Sequence, residues 1–359
     1  MVREVDRRAA VEDWDGLVHL RTACLDATEE TGRQLWGPAR YAAYRIALDA
    51  PAAMAASMLE PGVVRFGLGP LTEVVAQHHT FDELAPHLDA TLLPVVAQER
   101  VLRGEDLRDD ERAFGAPDDP PLVLQPFEPD YVLPEYRATE RLDGAVPDPV
   151  EAGTSNAASA LPASPAPLTT PLTAPAPGSA PARLVRALED VVAPWTAQSA
   201  GEVTVAAVQG GTDTAARAVL DAAALDTTAG ETRSTGDVLR APIGTADLLR
   251  LLAHAGASGG VHGRRRGAAA GRSLAWWVAR CATGLERVEQ LDAEELEFRL
   301  EDLAMIAMRS PGEAAWRLEL AIGSGGADEE AEWAVAIAAF DRSDPGPDDS
   351  PVDGAPWSF

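Results

Sequence analysis

Lysine is missing from this chain: all 30 basic residues are arginine. Without a side-chain primary amine there is no Schiff-base chemistry, no lysine general base and no P-loop lysine. Cysteine is nearly as scarce. Cys24 and Cys281 stand alone, too few for a disulfide framework or a cysteine-based metal centre. Long hydrophobic runs are absent too. The stretch from Leu248 to Ala257 is interrupted by Arg250 and His254, and none approaches the roughly 20 apolar residues of a membrane span. The opening MVREVDRRAAVEDWDG has neither an apolar core nor a small-residue cleavage site. No signal peptide is therefore expected, no membrane partner, and the cytoplasm is the expected compartment. Positive charge is in deficit overall. A net charge of -27 repels a phosphate backbone, so nucleic acid is not an expected partner. Arginine, alanine, glycine and proline without lysine point to a high-GC genome, a coding bias and not a function.

What is present suggests two domains and their connectors, the usual outcome for 359 residues. Residues 1–112 read as an all-α domain of short antiparallel helices. Leu17, Leu20, Cys24 and Ala27 recur at helical spacing, Pro38 sits near the start of a second helix, and Pro51 stops it. Thr80 and Glu83 form a capping box, and Pro94 opens a helix running to about Gly104. His78, His79 and His87 invite a metal, but Pro86 disturbs their spacing and no HExxH is present; the expectation is no metal and no cofactor.

Residues 113–143 combine prolines with Leu122, Leu124, Phe127, Tyr131 and Tyr136, as an extended arm lying on a domain surface would. Residues 144–182 fall to alanine, proline, serine and threonine, the composition of a disordered linker. The second domain, 183–342, reads as α+β. A helix from Leu184 is followed by a buried strand at Glu202–Val208 and a QGGTDT turn into a helix from about Ala215, with Thr212 or Asp213 as cap. Thr245 is expected to cap a further helix. Alternation around Leu296–Leu300, Trp316–Ile322 and Trp333–Ala338 predicts an antiparallel meander covered on one face by a tryptophan-bearing helix. Residues 343–359 are an acidic, proline-rich tail expected to be disordered.

The most locally specific stretch is His254–Leu285. Its GASGG resembles a nucleophile elbow, yet a helical pattern precedes it and the only later histidine, His262, is four residues on. Its GAAAGRS resembles a Walker A loop but is one residue short, with arginine for lysine and no strand before it. No catalytic motif keeps its context. An amphipathic helix over Gly263–Leu285 explains more. Gly267, Ala270, Gly271, Leu274, Trp277, Val278, Cys281 and Leu285 lie on one side, and Arg265, Arg266, Arg272, Trp276, Arg280 and Arg287 on the other. The arginine side has two readings. It is a solvated face paired with the chain's own carboxylates, or an anion site in which His262, Arg264, Arg265, Arg266 and Arg272 join amides at Gly259, Gly260 and Gly263.

At GGVHGRRRGAAAGRSLAWW the chain resembles an uncharacterised family from high-GC actinobacteria, a likeness extending through AEWAVAIAAFD. The resemblance implies no reaction and no catalytic residue. Two functions are compatible with these residues: a non-catalytic cytoplasmic interaction or regulatory protein with a protein partner, or an enzyme or binding protein for a small phosphate or carboxylate.

Overall fold

Helices fill the first half of the chain and a sheet organises the second. A computed structural model describes residues 1–59, 70–114, 119–137, 159–160, 175–225, 238–288, 291–310, 316–325 and 332–341. Most of the expected linker and all of the 343–359 tail lie outside these residues.

The N-terminal helices begin and end where side-chain chemistry tells them to. After α1 (Val2–Ala9), Asp13 caps α2 (Trp14–Thr31) by accepting from the Gly16 amide at 3.0 Å, and Gly32 closes it in the left-handed region. The next helix, α3 (Trp36–Asp49), starts two residues before Pro38 and stops short of Pro51, which precedes α4 (Ala52–Ala56). Beyond α5 (Leu71–His78), both reciprocal bonds of the Thr80–Glu83 capping box start the short α6 (Phe81–Leu84). Pro94 sits in the first turn of α7 (Leu93–Val101), which ends three residues before Gly104. Leu17, Tyr44, Ile46, Phe81, Leu84 and Val96 form the buried centre of this half.

In the second half, Ser179 caps α8 (Ala180–Gln198) by accepting from the Ala182 amide at 3.3 Å, so residues 180–182, expected in the linker, are helical. There follow β2 (Glu202–Val208), α9 (Thr212–Leu225), β3 (Leu239–Pro242), α10 (Thr245–Ala257), α11 (Ala268–Thr283), α12 (Ala293–Glu301), β4 (Ala304–Arg309), β5 (Trp316–Gly323) and β6 (Ala334–Asp341). With the two-residue β1 (Ser159–Ala160), the strands form one antiparallel sheet in the order β1-β3-β4-β5-β6-β2. The meander from β3 to β6 is extended by β2, which pairs with β6 from Glu202↔Phe340 to Val208↔Ala334.

Strand alternation splits the sheet into two apolar faces. Leu318, Leu320, Ile322, Val335, Ile337 and Ala339 share a core with Leu188 and Trp195 of α8 and Leu248 and Leu252 of α10. Ala321, Ala334, Ala336 and Phe340 face Ala215, Ala216 and Val219 of α9, alanine against alanine allowing close packing.

Three further expectations change. Leu296–Leu300 is not a strand but α12: Asp292 accepts from the Glu294 amide, and Leu296 and Leu300, four residues apart, are buried while Phe298 is exposed. Thr245 is not a cap; it is the first helical residue after Gly244. The tryptophan helix α11 is shorter than 263–285 and does not lie directly on the sheet; it packs chiefly on α10 and α8 as a further layer. Its contact with α10 depends on Gly271, where a Cβ would stand 2.2 Å from the Ala253 carbonyl oxygen.

Candidate functional site

The segment from Ser258 to Gly267 connects α10 to α11 and, with the first turn of α11, lies between the two halves. An anion site here would need free amides and free guanidiniums. The chain supplies acceptors for most of both.

Gly260 N donates to Ser258 Oγ at 2.9 Å, Val261 N to Asp341 Oδ2 at 2.6 Å, His262 N to Ser199 Oγ at 3.1 Å and Arg264 N to Gln198 Oε1 at 3.1 Å. The glycines serve this internal folding. A Cβ on Gly259 would collide with the Arg264 carbonyl, and one on Gly260, at φ +80°, would lie 2.2 Å from Asp341 Oδ2.

The start of α11 is the helix terminus where the sequence suggested a ligand. Its anions are Glu73 of α5 and Glu99 of α7. Ala268 N donates to Glu73 Oε1 at 2.6 Å and Ala269 N to Glu99 Oε1 at 2.9 Å. Arg265 grips the same Glu73 with two parallel bonds of 2.9 Å, and the Tyr136 hydroxyl donates to its Oε2 at 2.5 Å. Arg103 reaches Glu99 Oε2 at 2.8 Å and the Glu73 carbonyl at 3.1 Å. Both glutamates are fully buried. Burial, reinforced by neighbouring Glu73, pushes the Glu99 carboxyl up to about 7 against the pull of Arg103 and the Ala269 amide. Burial opposes the charge on Arg265, but Glu73 outweighs it and holds the guanidinium more firmly protonated than usual. The Tyr136 hydroxyl is raised by burial and by Glu73.

One turn along α11, Arg272 is a second tie. It is fully buried and uses all five of its donors. Nε and Nη2 take Glu128 at 2.8 and 2.6 Å, Nη1 takes Gln98 Oε1 at 2.5 Å and the Pro121 carbonyl at 2.9 Å, and Nη2 also takes the Val123 carbonyl at 3.2 Å. Glu128 in turn accepts from Trp276 Nε1, Tyr131 Oη and the Gln125 amide at 2.8–3.0 Å. Burial pushes Glu128 up, but Arg272 and these donors bring it below its ordinary value. The arm segment places these groups by entering both cores: Phe127 joins the core of the second half beside Trp276, rings 5.6 Å apart, and Tyr136 joins that of the N-terminal helices.

The expected arginine face is therefore not a solvated one. Arg272, Trp276 and Arg280 are buried, and Arg280 donates to the Val288 carbonyl at 2.8 Å. The structure brings Arg265 and Arg272 into internal pairs and sets Arg266 on the Asp190 carbonyl at 3.0 Å. His262 and Arg264 face solvent. Arg264 lies near Arg40 of α3, and burial together with Arg264 lowers the Arg40 guanidinium to about 10. Sequence reasoning missed Glu73, Gln98, Glu99 and Glu128. Their signal is a polar residue among apolar neighbours, as in TEVVA, VVAQERV and QPFEPDY.

Elsewhere the chemistry is quiet. His78 and His87 are exposed; burial lowers the pKa of His79, whose Nε2 is buried without a partner. Among the described residues no group of three or more His, Cys, Asp or Glu could hold a metal ion. Both cysteines are free and buried, and burial pushes the Cys281 thiol up to about 12, far from a reactive thiolate. A pocket between Tyr131, Val132, His254, Ala257, Arg265 and Ala268 encloses ≈ 20 Å³, room for about one water. The QGGTDT turn is an ordinary connection in which Gly211 accepts from the Ala215 amide at 3.2 Å and Asp213 pairs with Arg240 at 3.2 Å. No helix among the described residues is long and apolar enough to cross a membrane.

Residues 1–325 match a family of unknown function (DUF6183), and the chain belongs to that family. No curated protein and no solved structure matches it.

Proposed function

We propose that this member of a family of unknown function is a non-catalytic interaction or regulatory protein of the cytoplasm. Its partner is another protein, with neither nucleic acid nor membrane involved, and its source is a high-GC actinobacterium. One observation carries this reading. The most chemically specific cluster in the chain, Arg265 and Arg272 with the α11 amides, is consumed by Glu73, Glu99 and Glu128, so its work is to fasten the helical domain, the arm and the sheet domain together. A strongly acidic two-domain body suits selective recognition of a protein surface.

The second reading, a binding protein or enzyme for a small phosphate or carboxylate, keeps a foothold at the rim. There His262 and Arg264 are exposed and Arg40 and Arg264 place two guanidiniums near each other. The test runs thermal-shift titrations of the full chain with inorganic phosphate, ATP and citrate beside affinity capture from native cells. The interaction reading expects no ligand-specific stabilisation and a captured partner whose loss reproduces loss of this protein. Stabilisation by one anion that disappears in Arg264→Ala would replace it with the second reading.

A further inference from the structure

The two margins of the sheet are built differently. One ends in β3, four residues long, carrying Arg240 and Pro242 and flanked by the two-residue β1. Short length, charge and proline are devices that blunt a sheet edge. The other margin is β2, seven residues of EVTVAAV with no proline, no basic residue and one charge, Glu202, at its end. Among the described residues nothing pairs with β2 on the side away from β6, and its outward amides and carbonyls meet no partner there. The chain's own tail is a poor occupant, because Pro345, Pro347, Pro351 and Pro356 cannot donate to a ladder.

We infer that β2 pairs antiparallel with β2 of a second copy, making one continuous sheet across a two-fold axis at Val205. The sequence is self-complementary about that residue. Val203 falls opposite Ala207 on the face shared with α8, and Thr204 opposite Ala206 on the face shared with α9, so each apolar face continues into its counterpart. The net charge of -27 opposes self-association in general, and β2 is where it opposes it least: Glu202 is the strand's one charged residue, and in this register the two Glu202 residues lie at opposite ends of the ladder. The inference goes beyond the interaction reading and does not depend on it.

Sedimentation of the full chain over a range of concentrations tests it together with two cysteine variants. A concentration-dependent dimer is expected, and Thr204→Lys, with an unchanged far-UV spectrum, abolishes it. Val205→Cys forms an intermolecular disulfide on mild oxidation, because opposed residues have Cα atoms about 4.5–5.5 Å apart. Val203→Cys does not, its symmetry mates being about 13 Å apart along the strands. A monomer at every concentration overturns the proposal, as does a dimer indifferent to Thr204→Lys or cross-linking equal at 203 and 205. Should Thr204→Lys fail to fold, the two cysteine variants decide alone.

Discussion

Replacing Arg272 with methionine tests the buried tie where it is strongest. The substitution keeps an unbranched chain of similar reach and removes five hydrogen bonds, two of them to Glu128. Glu128 is about as inaccessible as its partner, at 1% side-chain exposure against 0%, so the carboxylate stays buried without its cation. Breaking one side of such a pair costs roughly 3–5 kcal/mol, while replacing both partners by neutral groups is far milder. Arg272→Met and Glu128→Gln should therefore each lose roughly 3–5 kcal/mol, and the double variant clearly less than their sum. Urea unfolding followed by tryptophan fluorescence is the assay, since Trp276 Nε1 donates to Glu128 and reports on the site. Arg299→Ala is the control. Its i,i+4 pair with Glu295 is about half exposed on each side, and its loss should cost no more than about 0.5 kcal/mol. Additive single losses, or an Arg272→Met cost below about 1 kcal/mol, would refute the reasoning.

Glu99 sets a pH dependence of defined sign. Its folded pKa is raised, so its contribution is fully present below about 4.5 and is lost as pH rises through about 7. Glu99→Gln should flatten the stability profile across that window relative to the native chain; parallel profiles would remove Glu99 from the account. Gly260→Ala combines a left-handed backbone with a collision at Asp341, and should cost roughly 2 kcal/mol or more. Gly284→Ala, at φ +77° in open space, should show only the backbone part, about 1 kcal/mol, on the same thermal melts. For α12, Leu296→Ala should cost roughly 2–5 kcal/mol and Phe298→Ala at most about 0.5; equal losses would restore the strand.

Local signals were legible wherever the deciding partner lay within a few residues. The Thr80–Glu83 box, the stop before Pro51 and the alternation of β5 and β6 are of this kind. Leu296, Phe298 and Leu300 misled because their spacing of two also contains a spacing of four. Only the Asp292 cap and the exposure of Phe298 decide between strand and helix. The short β3 and β4 were not separable from loop by pattern alone. At the candidate site, the arginines and glycines were visible because they are contiguous. Their acceptors were not, because Glu73 is 192 residues from Arg265 and Glu128 is 144 from Arg272. Periodicity carries no information about which distant carboxylate closes a pair. The assignment of helix sides misplaced Arg272 and Trp276 for the same reason: it gives polar groups to water when a distant part of the chain, here Gln98 and Glu128, can supply the partners.

The two readings of the arginine cluster can be separated by asking what an external anion would have to displace. To occupy the start of α11 it must remove Glu73 from two guanidinium bonds, an amide and a phenol. Glu73 is tethered to its site, and a tethered group competes at millimolar or higher effective concentration. A free phosphate or carboxylate meets that competition before it gains any affinity, and success would pull α5 away from α11. Binding at this helix start would therefore be weak and would raise the melting temperature only at high ligand concentration, whereas binding at the His262–Arg264 rim does not have to displace Glu73. Glu73→Gln sharpens the contrast: it weakens the internal competitor, so a ligand at the helix start should bind that variant more tightly, and a ligand at the rim should not distinguish it from the native chain.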